Sequence, residues 1–159
     1  MASKRAAGEF TVETVDIGSL TPHPRNYRAH PDAQVAEIKA SLDQFGQYRP
    51  IVVSSDGVIL AGEGVWRGAQ AAGETQIAVH RMDFAADDPR AEKLMVADNE
   101  LSRMAVDDDS ALAALLADIQ RTEGLTGTGY DDAGLLSIMG DLDEAEFGSE
   151  PDKQTLADL

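Results

Sequence analysis

The segment that most constrains this chain is VILAGEGVWRGAQAAG, from Val58 to Gly73. Val58, Ile59 and Leu60 form a short apolar run that suits a buried strand. Ala61-Gly62 turns it directly into a segment with Val65, Trp66, Ala69 and Ala72 at helical spacing. A strand ends where a helix begins. The first N–H groups of that helix have no partner within it, and the aligned peptide dipoles make its end mildly positive, so the corner suits an anion such as phosphate. Gly62 and Gly64 let a ligand come close to the backbone. Glu63, Arg67 and Gln70 fall at i, i+4 and i+7 and make a polar stripe on the same helix, the outline of a small phosphate and metal pocket. A Glu four residues before an Arg is equally an ordinary surface pair of about 0.2–0.5 kcal/mol, so both readings stand at this point.

The 159 residues fit one domain with a core plus an appendage. The absence of cysteine excludes disulfides, thiolate metal sites and thiol catalysis. No apolar run approaches the roughly 20 residues that cross a bilayer, and MASKRAAGEF has no apolar segment behind its two positive charges, so a cytoplasmic protein without a membrane partner is expected. The net charge of −16 is uneven: residues 1–100 hold 15 acids and 10 Lys and Arg, whereas residues 101–159 hold 14 acids and 3. Neutralising DNA phosphates takes clustered positive charge, so the acidic C-terminal part should repel a duplex. Any DNA contact has to use the body, where Arg25 and Arg28, with Arg49 and Arg67, could share one face.

Along the chain, residues 1–9 read as disordered and Phe10 to Ile17 as a first strand. SLTPHPRNYRAHPD (Ser19 to Asp32) carries three prolines and reads as a loop, long enough to wrap something or to carry function. Asp32 is placed to cap a helix that buries Val35, Ile38, Leu42 and Phe45 and stops at Gly46. Pro50 to Ser54 reads as a strand joined through an Asp-Gly turn to Val58–Leu60. A strand at 76–82, a helix at 87–104, a helix capped by Asp109 and a short helix at about 131–139 follow, before an acidic tail over 141–159 with too few apolar residues to fold alone. The expected order is β–α–β–β–α–β–α–α–α, an α/β chain with a mixed α+β sheet.

PHPRNYR, a helix ending in FGQYRPIVV, the hairpin into AGEGVWRGAQAAG and then VADNELSR together resemble the N-terminal domain of ParB partition proteins, in the ParB/sulfiredoxin superfamily. The resemblance covers about residues 11–105. It implies a ParB/sulfiredoxin-like fold over 10–105, with additional C-terminal helices forming an acidic extension over 106–140. It also implies a pocket for a nucleoside triphosphate, CTP or ATP, with Mg²⁺. Carried over, Gly62, Glu63, Gly64 and Arg67 would hold phosphates, and Gly46, Gln47 and Arg49 would lie near the nucleoside. Asp98 and Asn99 would serve the metal, whose hard character suits oxygen ligands; adjacent helical residues diverge by about 100°, however, so both facing one ion needs help from local geometry. Gly64 and Val65 stand where partition proteins usually carry basic residues, and the helices after 109 are acidic where those proteins continue with a basic helix-turn-helix. VADNELSR followed by an acidic helix is similar to ParB-like domains of phages and of DNA methyltransferase neighbourhoods, many of them labelled ParB-like nucleases.

Three functions follow as expectations. The first is a triphosphate-binding domain of bacterial or phage DNA metabolism, in which any hydrolysis would use Arg67 to stabilise phosphate charge and Glu63 to position water or metal, making these the catalytic candidates. The second is a metal-dependent DNase with Glu63 and Asp98 as ligands. The third is a non-catalytic adaptor whose acidic helices dock a methyltransferase or another basic DNA protein; assembly into oligomers is left open. His23, His30 and His80 lack metal-ligand spacing, and Asp107 to Asp109 read as an acidic helix start. Trp66 reads as core, and Tyr48 as a ring at the pocket mouth, either stacking on a base or only lining the rim.

Overall fold

The computed structural model of the protein describes residues 9–147, so the ends expected to be disordered, apart from Glu9 and residues 141–147, lie outside the described residues. The chain runs through β1 (Glu13–Asp16), a 3-10 turn (Ile17–Ser19), β2 (Thr21–Pro22), α1 (Asp32–Phe45), β3 (Ile51–Val53) and β4 (Val58–Ala61). It continues with α2 (Glu63–Ala71), β5 (Gln76–Arg81), α3 (Pro89–Leu101), a second 3-10 turn (Ser102–Met104), α4 (Asp109–Thr122) and α5 (Asp132–Phe147). The strands form one sheet in the order β1-β5-β3-β4-β2. It is mixed: β1 with β5 and β3 with β4 are antiparallel, whereas β3 with β5 and β2 with β4 are parallel.

The β3–β4 hairpin forms for the reason its sequence suggests. The Ser54 hydroxyl donates to Asp56 Oδ1 at 2.6 Å and accepts the Val58 N–H at 2.9 Å, while Gly57 takes the positive φ of 83° that the turn needs. Successive residues of these strands then point to opposite faces. Ile51, Val53 and Ile59 pack with Ile77, Val79 and the α2 residues Trp66 and Ala69, whereas Leu60 packs on the other face with Phe84 and Ala91 of α3. The sheet is thus covered on both sides, and Trp66 is fixed further by its indole N–H donating to the Ile17 carbonyl at 3.1 Å.

Two glycines let α1 settle on α2. A Cβ on Gly68 would stand 2.5 Å from Ile38 Cγ2, and one on Gly64 would stand 3.0 Å from Ile38 Cδ1. The face expected to be buried on α1 is only half covered, and Phe45 is 68% exposed. The lengths explain this: at about 1.5 Å per residue the 14 residues of α1 outreach the nine of α2, and Phe45 sits at an end, before the turn at Gly46. Within the expected loop at 19–32, Thr21–Pro22 forms the edge strand β2, whose Thr21 N–H donates to the Gly57 carbonyl at 3.2 Å. Asp32 lies in the first turn of α1, with Pro31 in the capping position.

The chain divides into two compact units, one comprising residues up to Ala105 with Gly127–Gly129, the other Val106–Thr126 with Tyr130 onward. In the second unit Asp108, not Asp109, caps α4 by accepting the Ala111 N–H at 2.9 Å, and Leu116, Leu125 and Leu135 form a small core. The helix expected over 131–139 starts one residue later and runs on to Phe147, into the stretch expected as tail. Among the described residues no helix is long and apolar enough to cross a membrane.

Candidate functional site

The strand-to-helix corner at β4–α2 is built on Gly62, which has φ 95° and whose missing Cβ would lie 2.6 Å from Ile51 Cγ2. No other residue type meets both conditions without displacing β3. The corner opens into a cleft of about 340 Å³. It is lined by the start of α2 through Val65, by Met95, Asp98 and Asn99 of α3 with Ser102, by Asn26, Arg28 and His30 of the irregular segment before α1, and by Arg49.

The cleft therefore gathers Arg28, Arg49, Gly62, Glu63, Gly64, Asp98 and Asn99 from the residues expected at a site. It does not include Gly46, Gln47, Arg67 or Arg25. Gln47 is occupied elsewhere: its side-chain amide accepts the Ala78 N–H at 2.8 Å and donates to the Ala78 carbonyl at 2.9 Å. Because β3 begins only at Ile51, Gln47 supplies the pair of bonds a strand neighbour would make to β5. Gly46, with φ 69°, ends α1 and borders a separate hollow of about 230 Å³. Arg25 reaches across to Glu92, with Nη1 at 2.7 and 2.9 Å from its two oxygens, on an exposed surface.

Glu63 and Arg67 depart furthest from the expectation. Arg67 Nε and Nη2 both donate to Glu63 Oε1, at 2.9 and 2.6 Å, and Asn26 Nδ2 donates to Glu63 Oε2 in a short hydrogen bond. Only 8% of Glu63 is exposed, so its partners matter: a buried carboxylate without them would carry the full cost of leaving water. The i, i+4 stripe read from the sequence is present, but it turns Arg67 onto Glu63 and beside the Trp66 ring rather than into the cleft. Glu63 works as a joint between α2 and the Asn26 segment.

Asn26 was missed in the sequence. Its Oδ1 accepts the Arg28 N–H at 3.1 Å while its amide holds Glu63, so one side chain shapes the turn that presents Arg28. The local signal was an Asn two residues before Arg28, the spacing of an Asx turn. Arg28 then donates to Asn99 Oδ1 at 3.2 Å. His23 is buried, its Nδ1 accepting the Arg25 N–H at 3.1 Å, and it anchors the start of this segment. His30 lies against Gly64, with Nδ1 3.0 Å from Gln34 Oε1.

Electrostatically the cleft combines two guanidinium groups, Arg28 and Arg49, with the first N–H groups of α2, which lack intrahelical acceptors. Asp98 and Asn99 both border it, despite their 100° divergence; Asp98 offers a carboxylate, and Asn99 a carbonyl oxygen that accepts the Arg28 hydrogen bond and has one acceptor position left. This donor set suits Mg²⁺, which keeps most of its positions for water and phosphate. Among the described residues no three His, Asp or Glu side chains stand close enough to hold an ion by themselves.

The sequence pattern that defines the ParB N-terminal domain family matches residues 1–99. The chain is 40% identical over 48 residues to the ParB-like nuclease domain-containing protein YnaK of Escherichia coli (strain K12), a match covering 30% of this chain and 55% of that relative. The chain thus spans about half the length of the curated relative. Its structure is similar to that of the C-terminally truncated chromosome-partitioning protein ParB from Caulobacter crescentus complexed with CTP-gamma-S. The TM-score is 0.66 at 20% identity, covering 84% of this chain and 79% of that one. It is also similar to a pNOB8-like ParB N-domain, with a TM-score of 0.52 at 19% identity, covering 90% and 61%. At these identities the structural likeness establishes the fold, a ParB N-domain arrangement of the mixed sheet and its helices.

Proposed function

We propose a function from one premise: this chain belongs to the ParB N-terminal domain family. Its cleft binds a nucleoside triphosphate, CTP or ATP, together with Mg²⁺, in the DNA metabolism of a bacterial or phage-infected cell. The observation that carries this reading is the convergence of the α2 N-terminus, Arg28, Arg49 and the Asp98–Asn99 pair on a single cleft. A triphosphate with several negative charges is attracted by two guanidinium groups and by a helix start, and phosphate oxygens complete the shell of an ion that Asp98 and Asn99 hold from the protein side. The structural neighbour complexed with CTP-gamma-S supports the choice of ligand class.

Binding is the activity the geometry favours over hydrolysis. Glu63 has partners on both oxygens and Arg67 faces Glu63, so neither stands ready to position water or to meet a phosphate. The same commitment of Glu63 counts against a metal-dependent nuclease using Glu63 and Asp98. Calorimetric titration of CTP and of ATP with Mg²⁺ tests the proposal: saturable heat with the wild type, strongly reduced in Arg49→Ala, is expected, and no heat with either nucleotide refutes it.

A second reading concerns the other compact unit. In α4 and α5 the apolar side chains Leu115, Leu136 and Met139 are exposed on helices rich in Asp. That surface suits a basic partner such as a DNA-processing enzyme, and a DNA methyltransferase is a candidate to test by salt-dependent co-elution.

A further inference from the structure

Arg28 stands where two ligands make opposite demands on it. As a cation in the cleft it attracts phosphate, yet its Nη1 donates at 3.2 Å to Asn99 Oδ1, an oxygen that would also serve the metal. The acceptor is a neutral amide, so this contact does nothing to offset the guanidinium charge. An ion held by Asn99 would lie about 2.1 Å from that oxygen and so no more than about 5.3 Å from the Arg28 nitrogen, inside the roughly 8 Å over which physiological salt screens charges. Like charges at that range repel.

The two ends of Arg28 are held differently. Its backbone is pinned: Asn26 Oδ1 accepts the Arg28 N–H at 3.1 Å, and Asn26 Nδ2 donates to the buried Glu63. Its side chain belongs to an exposed residue, and among the described residues the bond to Asn99 is the one hydrogen bond of the guanidinium. Phosphate offers a better partner, because guanidinium pairs with anionic oxygens in charge-assisted, often bidentate bonds roughly twice as strong as neutral ones. The anchor stays while the tip can exchange.

We propose that Arg28 guards the metal position: resting on Asn99 it keeps a lone divalent cation off, and the phosphates of a triphosphate draw it away and open Asn99 to the ion. The proposal rests on the nucleotide reading of the cleft. Asp98 cannot hold an ion unaided, since among the described residues no three His, Asp or Glu side chains gather for one. A cation arriving alone therefore meets one carboxylate and a repelling guanidinium. Arriving with a triphosphate, it meets phosphate oxygens, Asp98 and a released Asn99. Arg28 thus opposes one ligand and favours the other, which couples their binding.

The experiment measures Mn²⁺ affinity without nucleotide, from the loss of the free-ion electron paramagnetic resonance signal, for the wild type, Arg28→Ala, Arg49→Ala and the double variant Arg28→Ala with Asn99→Ala. Calorimetric titrations of CTP and ATP with Mg²⁺ accompany it, and thermal melting checks that each variant is folded. Arg28→Ala should tighten Mn²⁺ about three- to tenfold and weaken the triphosphate about tenfold or more. Adding Asn99→Ala should lose about threefold or more of the Mn²⁺ gain, and Arg49→Ala, which removes a positive charge from the same cleft away from Asn99, should change Mn²⁺ less than about twofold. Opposite signs are the signature: a residue that only shaped the fold would weaken both ligands, and one that only bound phosphate would leave Mn²⁺ unchanged. Mn²⁺ affinity equal or weaker in Arg28→Ala overturns the proposal, as does an equal gain in Arg49→Ala or no Mn²⁺ binding by any variant. Tighter Mn²⁺ in Arg28→Ala with no heat from either nucleotide in the wild type upholds the guard over the ion and refutes the triphosphate reading.

Discussion

Replacing Gly62 with alanine probes the corner on which the cleft is built. The backbone there has φ 95°, and the new Cβ would lie 2.6 Å from Ile51 Cγ2 on β3, a neighbour in the middle of the sheet that cannot swing aside. A left-handed conformation costs an ordinary residue about 1–2 kcal/mol. Crowding a packed core adds about 1–3 kcal/mol. Gly62→Ala should therefore lose about 2–5 kcal/mol of the roughly 5–15 kcal/mol available to a small protein. Gly73→Ala is the control: φ is 78° and nothing lies within 4 Å of its Cβ position, so only the conformational part applies. Urea unfolding followed by the fluorescence of Trp66, the single tryptophan and a buried one, reads both variants. If Gly62→Ala and Gly73→Ala lost the same free energy within error, the account of a packed corner would be wrong.

Asn26→Ala leaves Glu63 Oε2 without its donor in a buried setting, so urea unfolding should show a loss of about 1–3 kcal/mol. Arg28→Ala should weaken triphosphate binding about tenfold to a hundredfold, whereas Arg25→Ala, whose guanidinium serves Glu92 outside the cleft, should change it less than about twofold in the same titration. The Asp56 carboxyl is held below its usual value of 3.8, first by the Ser54 hydroxyl and then by backbone N–H groups including that of Ala86. A carboxylate with a lowered folded-state pKa stabilises the fold above its unfolded value, and that contribution disappears as the pH falls through the folded value. Melting curves should then show Asp56→Ala less stable than the wild type at neutral pH, with the gap closing below pH 3.8; a gap independent of pH would refute this.

What the sequence revealed depended on how local the cause was. The β4–α2 corner was legible because an apolar run, a glycine and a 3.6-residue period lie within 16 consecutive positions. The Asp-Gly hairpin was legible for the same reason. β2 was hidden because two residues, one of them proline, carry no periodicity and become a strand only beside β4. In the site, residue types and spacing placed Glu63 and Arg67 on one stripe, but not the hydrogen bond from Asn26, on a distant segment, that takes the other Glu63 oxygen. Gln47 shows the same limit. The family resemblance implied a place near a nucleoside, and what the sequence did not show is that the late start of β3 makes its side chain a partner for Ala78. Gly64, read as room for a ligand, lines the cleft and also makes room for Ile38, a contact with α1 that no local pattern announced.

In the proposed function the head of α2 grips phosphates while α3 supplies the metal's protein ligands. A crystal structure of the chain with CTP or ATP and Mn²⁺, using the anomalous signal of the metal, tests it most directly. Phosphate oxygens are expected within hydrogen-bonding distance of the Glu63 and Gly64 N–H groups and of Arg28 or Arg49, with the metal at Asp98 and Asn99. Phosphate density beside Arg67 on the outer surface, or an empty cleft at saturating nucleotide, would contradict it.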